Sequence, residues 1–137
     1  MELKDLVGNH KLSGFEYGTE KYKDILGGID DREFIIFILN GIKYLASEDP
    51  DDGYRSVMNE LEITDRKVSN IFKPIDVICK MRKSNDDDFE TNDILEIYDK
   101  KNNKLILAIG TENTDDYYPY FVCEYIPENM SINKIKN

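Results

Sequence analysis

One histidine, two cysteines and no apolar run approaching the roughly 20 residues of a membrane span are the telling scarcities of this 137-residue chain. The lone histidine, His10, falls in a start that reads as unstructured and exposed. A serine or cysteine nucleophile would therefore have no obvious base to activate it. Cys79 and Cys123 are not a closely spaced metal pair, and each lies in an apolar alternating segment, which predicts two buried reduced thiols rather than a disulfide. The opening MELKDLVGNHKLSG has neither the charged start nor the apolar stretch of a signal peptide, so a cytoplasmic protein is expected. No GxxxxGK[ST] loop, GxGxxG turn or HExxH pair is present. Basic residues are also scarce, 18 against 28 acids, for a formal charge of -10. Counterion release needs clustered Lys and Arg, so direct binding to nucleic acid or an anionic membrane through a broad patch is not expected, and basic partners are favoured.

What is present is a packed domain. Hydrophobic residues make up 40% of the chain, with nine Tyr and six Phe, which argues against disorder despite the charge. The length fits a single domain over 1–137, with an ordered core at about 11–127 and a polar tail at 128–137. Asn40-Gly41 between Phe34–Leu39 and Ile42–Ala46 predicts a hairpin closed by a type I′ turn. Leu12–Tyr17 reads as a short strand, Thr19–Leu26 as a helical turn or a second strand, and Gly27–Asp31 as a loop. Ile75–Met81 alternates apolar and polar side chains as a half-buried strand does. Ile94–Tyr98 and Leu105–Ile109 form a second predicted hairpin, and Tyr117–Ile126 a last strand with Pro119 near its start. Tyr54, Met58 and Leu61 favour a helix of two turns or less, although Val57, Leu61 and Ile63 also share a strand face. Six or seven strands in hairpin order predict a mainly β fold, an antiparallel sheet curled into a small barrel or sandwich with at most one or two short helices.

Charge is unevenly distributed. Glu48–Asp65 sums to -6, Ser84–Asp99 to -7 and Glu112–Glu128 to -5, leaving the remaining residues at +8. Residues 66–83 between the first two windows hold six bases and one acid. Such a molecule is dipolar rather than uniformly acidic. Converging acidic windows would approach the charge density of a nucleic-acid backbone, about one charge per 1.7 Å of duplex axis, and would suit a basic protein groove. The plainer reading is that acid-rich loops keep the protein soluble. Asp49, Asp51, Asp52, Asp86, Asp87, Asp88, Asp115 and Asp116 are the candidates for the charged face.

An EF-hand does not fit Glu48–Gly53, because Pro50 would stand where a side-chain oxygen is needed. A different cation site from Asp49, Asp51, Asp52, Asp115 and Asp116 competes with simple solvated turns, and no metal or cofactor is assigned. Two loops, DPDDGYRS and GTENTDDYYPY, mix acids with Tyr54, Arg55, Thr111, Asn113, Tyr117 and Tyr118. Tyr faces stack on bases or sugars, Asn and Thr bond their edges, and Arg55 is able to clamp a phosphate, a collection that fits a nucleotide-like ligand. A structural ion pair at Arg55 and tyrosines packed at a sheet edge account for the same residues.

The order of these features resembles a family of small uncharacterised bacteriophage and prophage proteins. Leu12 and Gly14 in a first strand, LNGIKY at Leu39–Tyr44, the acidic turn Glu48–Ser56, and Gly110-Thr111, Asn113 and Tyr117-Tyr118 before the final strand carry the resemblance over most of residues 12–126. It departs at Asp51-Asp52-Gly53, where relatives tend to carry cysteines. The resemblance supplies no activity; it implies a phage origin and a protein that binds host components or sequesters host signals in the host cytosol. The leading expectation is thus a non-enzymatic antagonist of a host defence or nucleic-acid-handling protein with a basic surface. A module sequestering a nucleotide-like messenger is the alternative, and a metal-dependent carboxylate hydrolase a third. A homodimer through the edge strand at YYPYFVCEYI is also open.

Overall fold

The computed structural model describes residues 2–23, 26–47, 60–63, 73–83, 91–114 and 123–125. A 3-10 turn at Leu3–Leu6 precedes eight strands: β1 Gly8–Lys23, β2 Ile29–Leu39, β3 Ile42–Ser47, β4 Glu60–Ile63, β5 Ile75–Met81, β6 Thr91–Asp99, β7 Leu105–Thr114 and β8 Cys123–Tyr125. All pairings are antiparallel, in the order β4-β7-β6-β5-β1-β2-β3-β8. No pairing joins β4 to β8 among the described residues, so the sheet is open and curled rather than a closed barrel. The same residues contain no α-helix.

Hydrophobic alternation explains how one face of this sheet becomes a core. Phe15 of β1, Ile35, Phe37 and Leu39 of β2, Val77 and Cys79 of β5, Leu95 and Ile97 of β6, Leu107 and Ile109 of β7 and Cys123 of β8 are all buried in one cluster. Leu3 and Leu6 of the 3-10 turn join it, which fixes the N-terminal segment against the sheet. On the opposite face Phe34, Ile36, Ile38 and Leu45 form a second buried cluster. The Phe34–Leu39 part of β2 is therefore buried on both sides, and its sequence is a continuous apolar run for that reason.

β1 belongs to two ladders. Gly8–Leu12 pairs with β5 and Leu12–Lys23 with β2, and the β2 register shifts between Leu12 and Gly14. An extra residue at such a point bends a strand and lets it pass from one half of a curled sheet to the other. Beyond the last β2–β3 pair, Phe34↔Ser47, Thr19–Lys23 and Ile29–Glu33 continue as a two-stranded arm. The Lys21–Asp31 ion pair (2.8 Å) crosses it, and Leu26 and Ile29 at its end are 91% and 72% exposed.

The hairpin at Asn40-Gly41 has φ of 55° and 79°, both positive as a type I′ turn requires. Several expectations are corrected. Leu12–Tyr17 is only the middle of a 16-residue strand and Ile29–Asp31 is not loop but the start of β2, while of the two readings of Thr19–Leu26 the strand holds for Thr19–Lys23, as a continuation of β1. The arm buries little, so its residues show no apolar period. The favoured helix over 54–61 fails at its end: Glu60–Ile63 is a strand whose pairing with Ile109 and Leu107 takes up Leu61 and Ile63. Residues 54–59 lie outside the described residues.

Cys79 and Cys123 are buried free thiols. Burial pushes the Cys79 thiol up to about 12, from 9.0. The folded protein thus holds this proton after the unfolded chain has released it, and stability falls as pH rises from about 9 toward 12. The slope for one such group is at most about 1.4 kcal/mol per pH unit. Urea titrations at pH 8 and 10 are expected to show a lower midpoint at pH 10, by more in the wild type than in a Cys79→Ala variant.

Candidate functional site

Of the residues the sequence selects, Thr111 and Asn113 lie in the described structure. Both are on β7 rather than in a loop, which corrects the reading of GTENTDDYYPY as wholly loop. The Thr111 side chain is buried, opposite the equally buried Asp93 of β6. It belongs to the sheet's interior, not to an open ligand-binding surface. Asp49, Asp51, Asp52, Tyr54, Arg55, Asp86, Asp87, Asp88, Asp115, Asp116, Tyr117 and Tyr118 lie outside the described residues.

The strand ends flanking those residues are described, and their pairing is informative. Residues 48–59 connect the end of β3 to the start of β4, and residues 115–122 connect the end of β7 to the start of β8. Cys123 pairs with Ala46, next to Ser47, so one end of each connection is shared. At the other end Glu60 pairs with Gly110, four residues before Thr114. Thr114 in turn pairs with Thr91, which follows the Asp86–Asp88 segment. Strand pairing thus puts parts of the three acidic windows on the neighbouring strands β4, β7 and β6, while the other ends of the first and third windows' connections meet at β3–β8, the opposite edge of the sheet.

The windows are not acidic surface throughout. Asp93 is buried, and Glu96 of β6 pairs with Arg82 just beyond β5 (3.0 Å), their side chains only 16% and 24% exposed. Asp99 lies at the far end of β6, accepting a hydrogen bond from the Lys101 backbone at 2.8 Å. Beside Arg82, Lys80 stands 5.4 Å from the centre of the Tyr98 ring.

His10 departs furthest from its sequence reading. It lies on β1, half-buried, with Nε2 2.7 Å from the Leu6 carbonyl oxygen and Nδ1 2.7 Å from Asn40 Nδ2. Asn40 Oδ1 accepts from the Lys11 backbone N–H at 2.9 Å, which turns the Asn40 amide nitrogen toward the ring. Nδ1 then accepts from that amide, while Nε2–H donates to Leu6. Both ring nitrogens are engaged in tying the 3-10 turn, β1 and the β2–β3 turn together. Asn40 showed in the sequence as a turn residue, but nothing local linked it to His10.

Near the 3-10 turn, Lys4 is 3.1 Å from Glu2, and its ammonium is held above the usual lysine range by a hydrogen bond and charge from Glu2, with lesser contributions from Asp5 and Asp93. Asp93, buried on β6 opposite Thr111, was not selected from the sequence because it is one acid among many. No group of three or more His, Cys, Asp or Glu suited to a metal ion occurs among the described residues. No helix of the described residues is long and apolar enough to cross a membrane.

Together these features define a mainly antiparallel β protein with an open sheet among the described residues. No protein-family model matches the chain, and neither a curated protein nor a solved structure matches it.

Proposed function

We propose that this chain is a non-enzymatic, phage-type antagonist that docks an acidic face onto the basic surface of a host defence or nucleic-acid-handling protein. The observation that supports the reading is the pairing of Glu60 with Gly110 and of Thr91 with Thr114, which puts parts of the three acidic windows on the neighbouring strands β4, β7 and β6. Carboxylates converging from these windows would offer a basic groove the charge it normally receives from phosphates. Lysine replacement of Asp51, Asp52, Asp87 and Asp88 together is expected to abolish capture of the host partner while circular dichroism and thermal unfolding stay near wild type. Affinity of the wild type is expected to fall by at least about 100-fold between about 0.05 and 0.5 M salt. An affinity indifferent to salt would sink the idea.

One observation favours the second reading, a module that sequesters a nucleotide-like messenger. Residues 48–59 and 115–122 connect the same two regions of the sheet, so the flanks of Tyr54-Arg55 and of Tyr118 meet. A thermal-shift screen against cyclic and ADP-ribose-type nucleotides separates the two. Stabilisation of about 2.7 kcal/mol at 100 times Kd supports sequestration, and its absence beside salt-sensitive protein capture supports the antagonist.

A further inference from the structure

We infer that the end of the sheet formed by Lys11, Asp76 and the β6–β7 turn is a docking surface for the phosphate backbone of nucleic acid. The inference goes beyond the function proposed above and does not rest on it. Lys11, Lys73, Lys100, Lys101 and Lys104 are all exposed, and the strand register gathers residues that the sequence scatters. Lys11 pairs with Asp76, two residues after Pro74, and the Lys100 backbone N–H donates to the Asp76 carbonyl at 3.0 Å. Lys101 and Lys104 complete the same β6–β7 turn, where Asn102 Oδ1 accepts from the Lys104 backbone at 3.0 Å. The nearby acids on these elements are Asp76, in an exposed ion pair with Lys11 (3.1 Å), and Asp99. An exposed pair of this kind holds its lysine weakly, so a phosphate competes for it readily.

A chain with a charge of -10 repels polyanions on average, but distance decides what a phosphate at this rim feels. β6 runs from Thr91 to Asp99, nine residues, which is roughly 27 Å of strand rise and about three Debye lengths at about 0.15 M salt. At that ionic strength the rim acts as a local cationic patch, screened from the carboxylates beyond Thr91. Its chemistry selects among anionic partners. The turn Lys100–Lys104 carries lysines and asparagines and no apolar side chain to insert into lipid, which disfavours a membrane. Lysines spread along a rim built from β1, β5 and the β6–β7 turn suit successive phosphates along a duplex backbone rather than base edges in a groove. Such contacts carry no sequence preference.

The test is fluorescence anisotropy of the full chain with a labelled DNA duplex of arbitrary sequence, over a salt series from about 0.01 to 0.4 M. Because the Debye length reaches about 30 Å at 0.01 M, the whole acidic molecule is felt there, and affinity is expected to peak near about 0.1 M. From the peak to about 0.4 M, five neutralised phosphates predict a loss on the order of 500-fold. The combined Lys100→Glu, Lys101→Glu and Lys104→Glu variant is expected to lose at least about tenfold in affinity at the peak, whereas Lys21→Glu on the arm retains it. Circular dichroism reports whether each variant is folded, and Lys100→Ala with Lys101→Ala gives a milder version of the same comparison. Absence of duplex binding at every salt, affinity that only rises down to 0.01 M, equal binding by the folded lysine variants, or tighter binding to phosphatidylserine vesicles than to duplex would each overturn the inference.

Discussion

Replacing Gly110 with alanine is expected to destabilise the protein by about 4 kcal/mol or more, a large share of the roughly 5–15 kcal/mol that keeps a domain folded. Gly110 has a φ of +142°, a backbone conformation that side-chain-bearing residues rarely adopt. That alone costs about 1–3 kcal/mol. An added Cβ would also run into the Asp93 carbonyl oxygen and lie 2.9 Å from the Asp93 carbonyl carbon and Ile94 Cα. These are backbone atoms of β6, directly across the ladder, where Ile94 pairs with Gly110. They cannot step aside without opening the β6–β7 pairing that also supports β4. The contrast is Gly18, whose added Cβ would lie 2.7 Å from the far end of the Phe34 ring, a side chain with some freedom to move. Thermal unfolding of Gly110→Ala should show a midpoint lowered by at least about 10 °C. A midpoint within about two degrees of wild type would show that the ladder relaxes far more easily than this packing allows.

Phe37→Ala is expected to remove about 3–5 kcal/mol. Phe37 is fully buried at the centre of an aromatic row on the core face, paired with Phe15 of β1 on one side and Tyr44 of β3 on the other. Its ring stacks on Tyr44 with centroids 5.7 Å apart and planes at 23°. Truncation removes both the apolar transfer and the contacts that fix the rows of β1 and β3, and neighbours held by ladder hydrogen bonds close the cavity only in part. Urea denaturation checks this as a lower midpoint with an unchanged m-value. A loss below about 1.5 kcal/mol would mean that the core collapses into the gap.

The parts of the fold that were legible from sequence share a physical basis. Asn40-Gly41 supplies left-handed backbone angles, and the Ile75, Val77, Cys79 and Met81 alternation has a core to face, so local residues determine local structure in both. His10 and Ile29–Asp31 were misread because what orders them lies outside their own segments: Leu6 and Asn40 for the ring, pairing with Lys21–Lys23 of β1 for Ile29–Asp31. Glu60–Ile63 has the two-residue period of a strand, yet the spacing of Tyr54, Met58 and Leu61 suited a helix, and pairing with β7 decides between them. For the candidate site, composition singled out the acidic windows, but only long-range register relates their flanks. The same holds for the lysine rim, since Lys11 and Lys100 are brought to opposite sides of Asp76 by the β1–β5 pairing and the Lys100–Asp76 backbone bond.

The double membership of β1 also bears on how the chain assembles. β1, β2 and β3 are successive neighbours, as are β5, β6 and β7, so each group is built from short closures that cost little chain entropy. The five pairs from Gly8↔Cys79 to Leu12↔Ile75 are what join them, and they must bring the start of the chain to its middle. Such a non-local closure is rewarded only after its entropy has been spent, which places this protein among slow folders with high contact order. The clasp of His10, Leu6 and Asn40 sits at that seam, where it secures the N-terminal turn once the two groups have met.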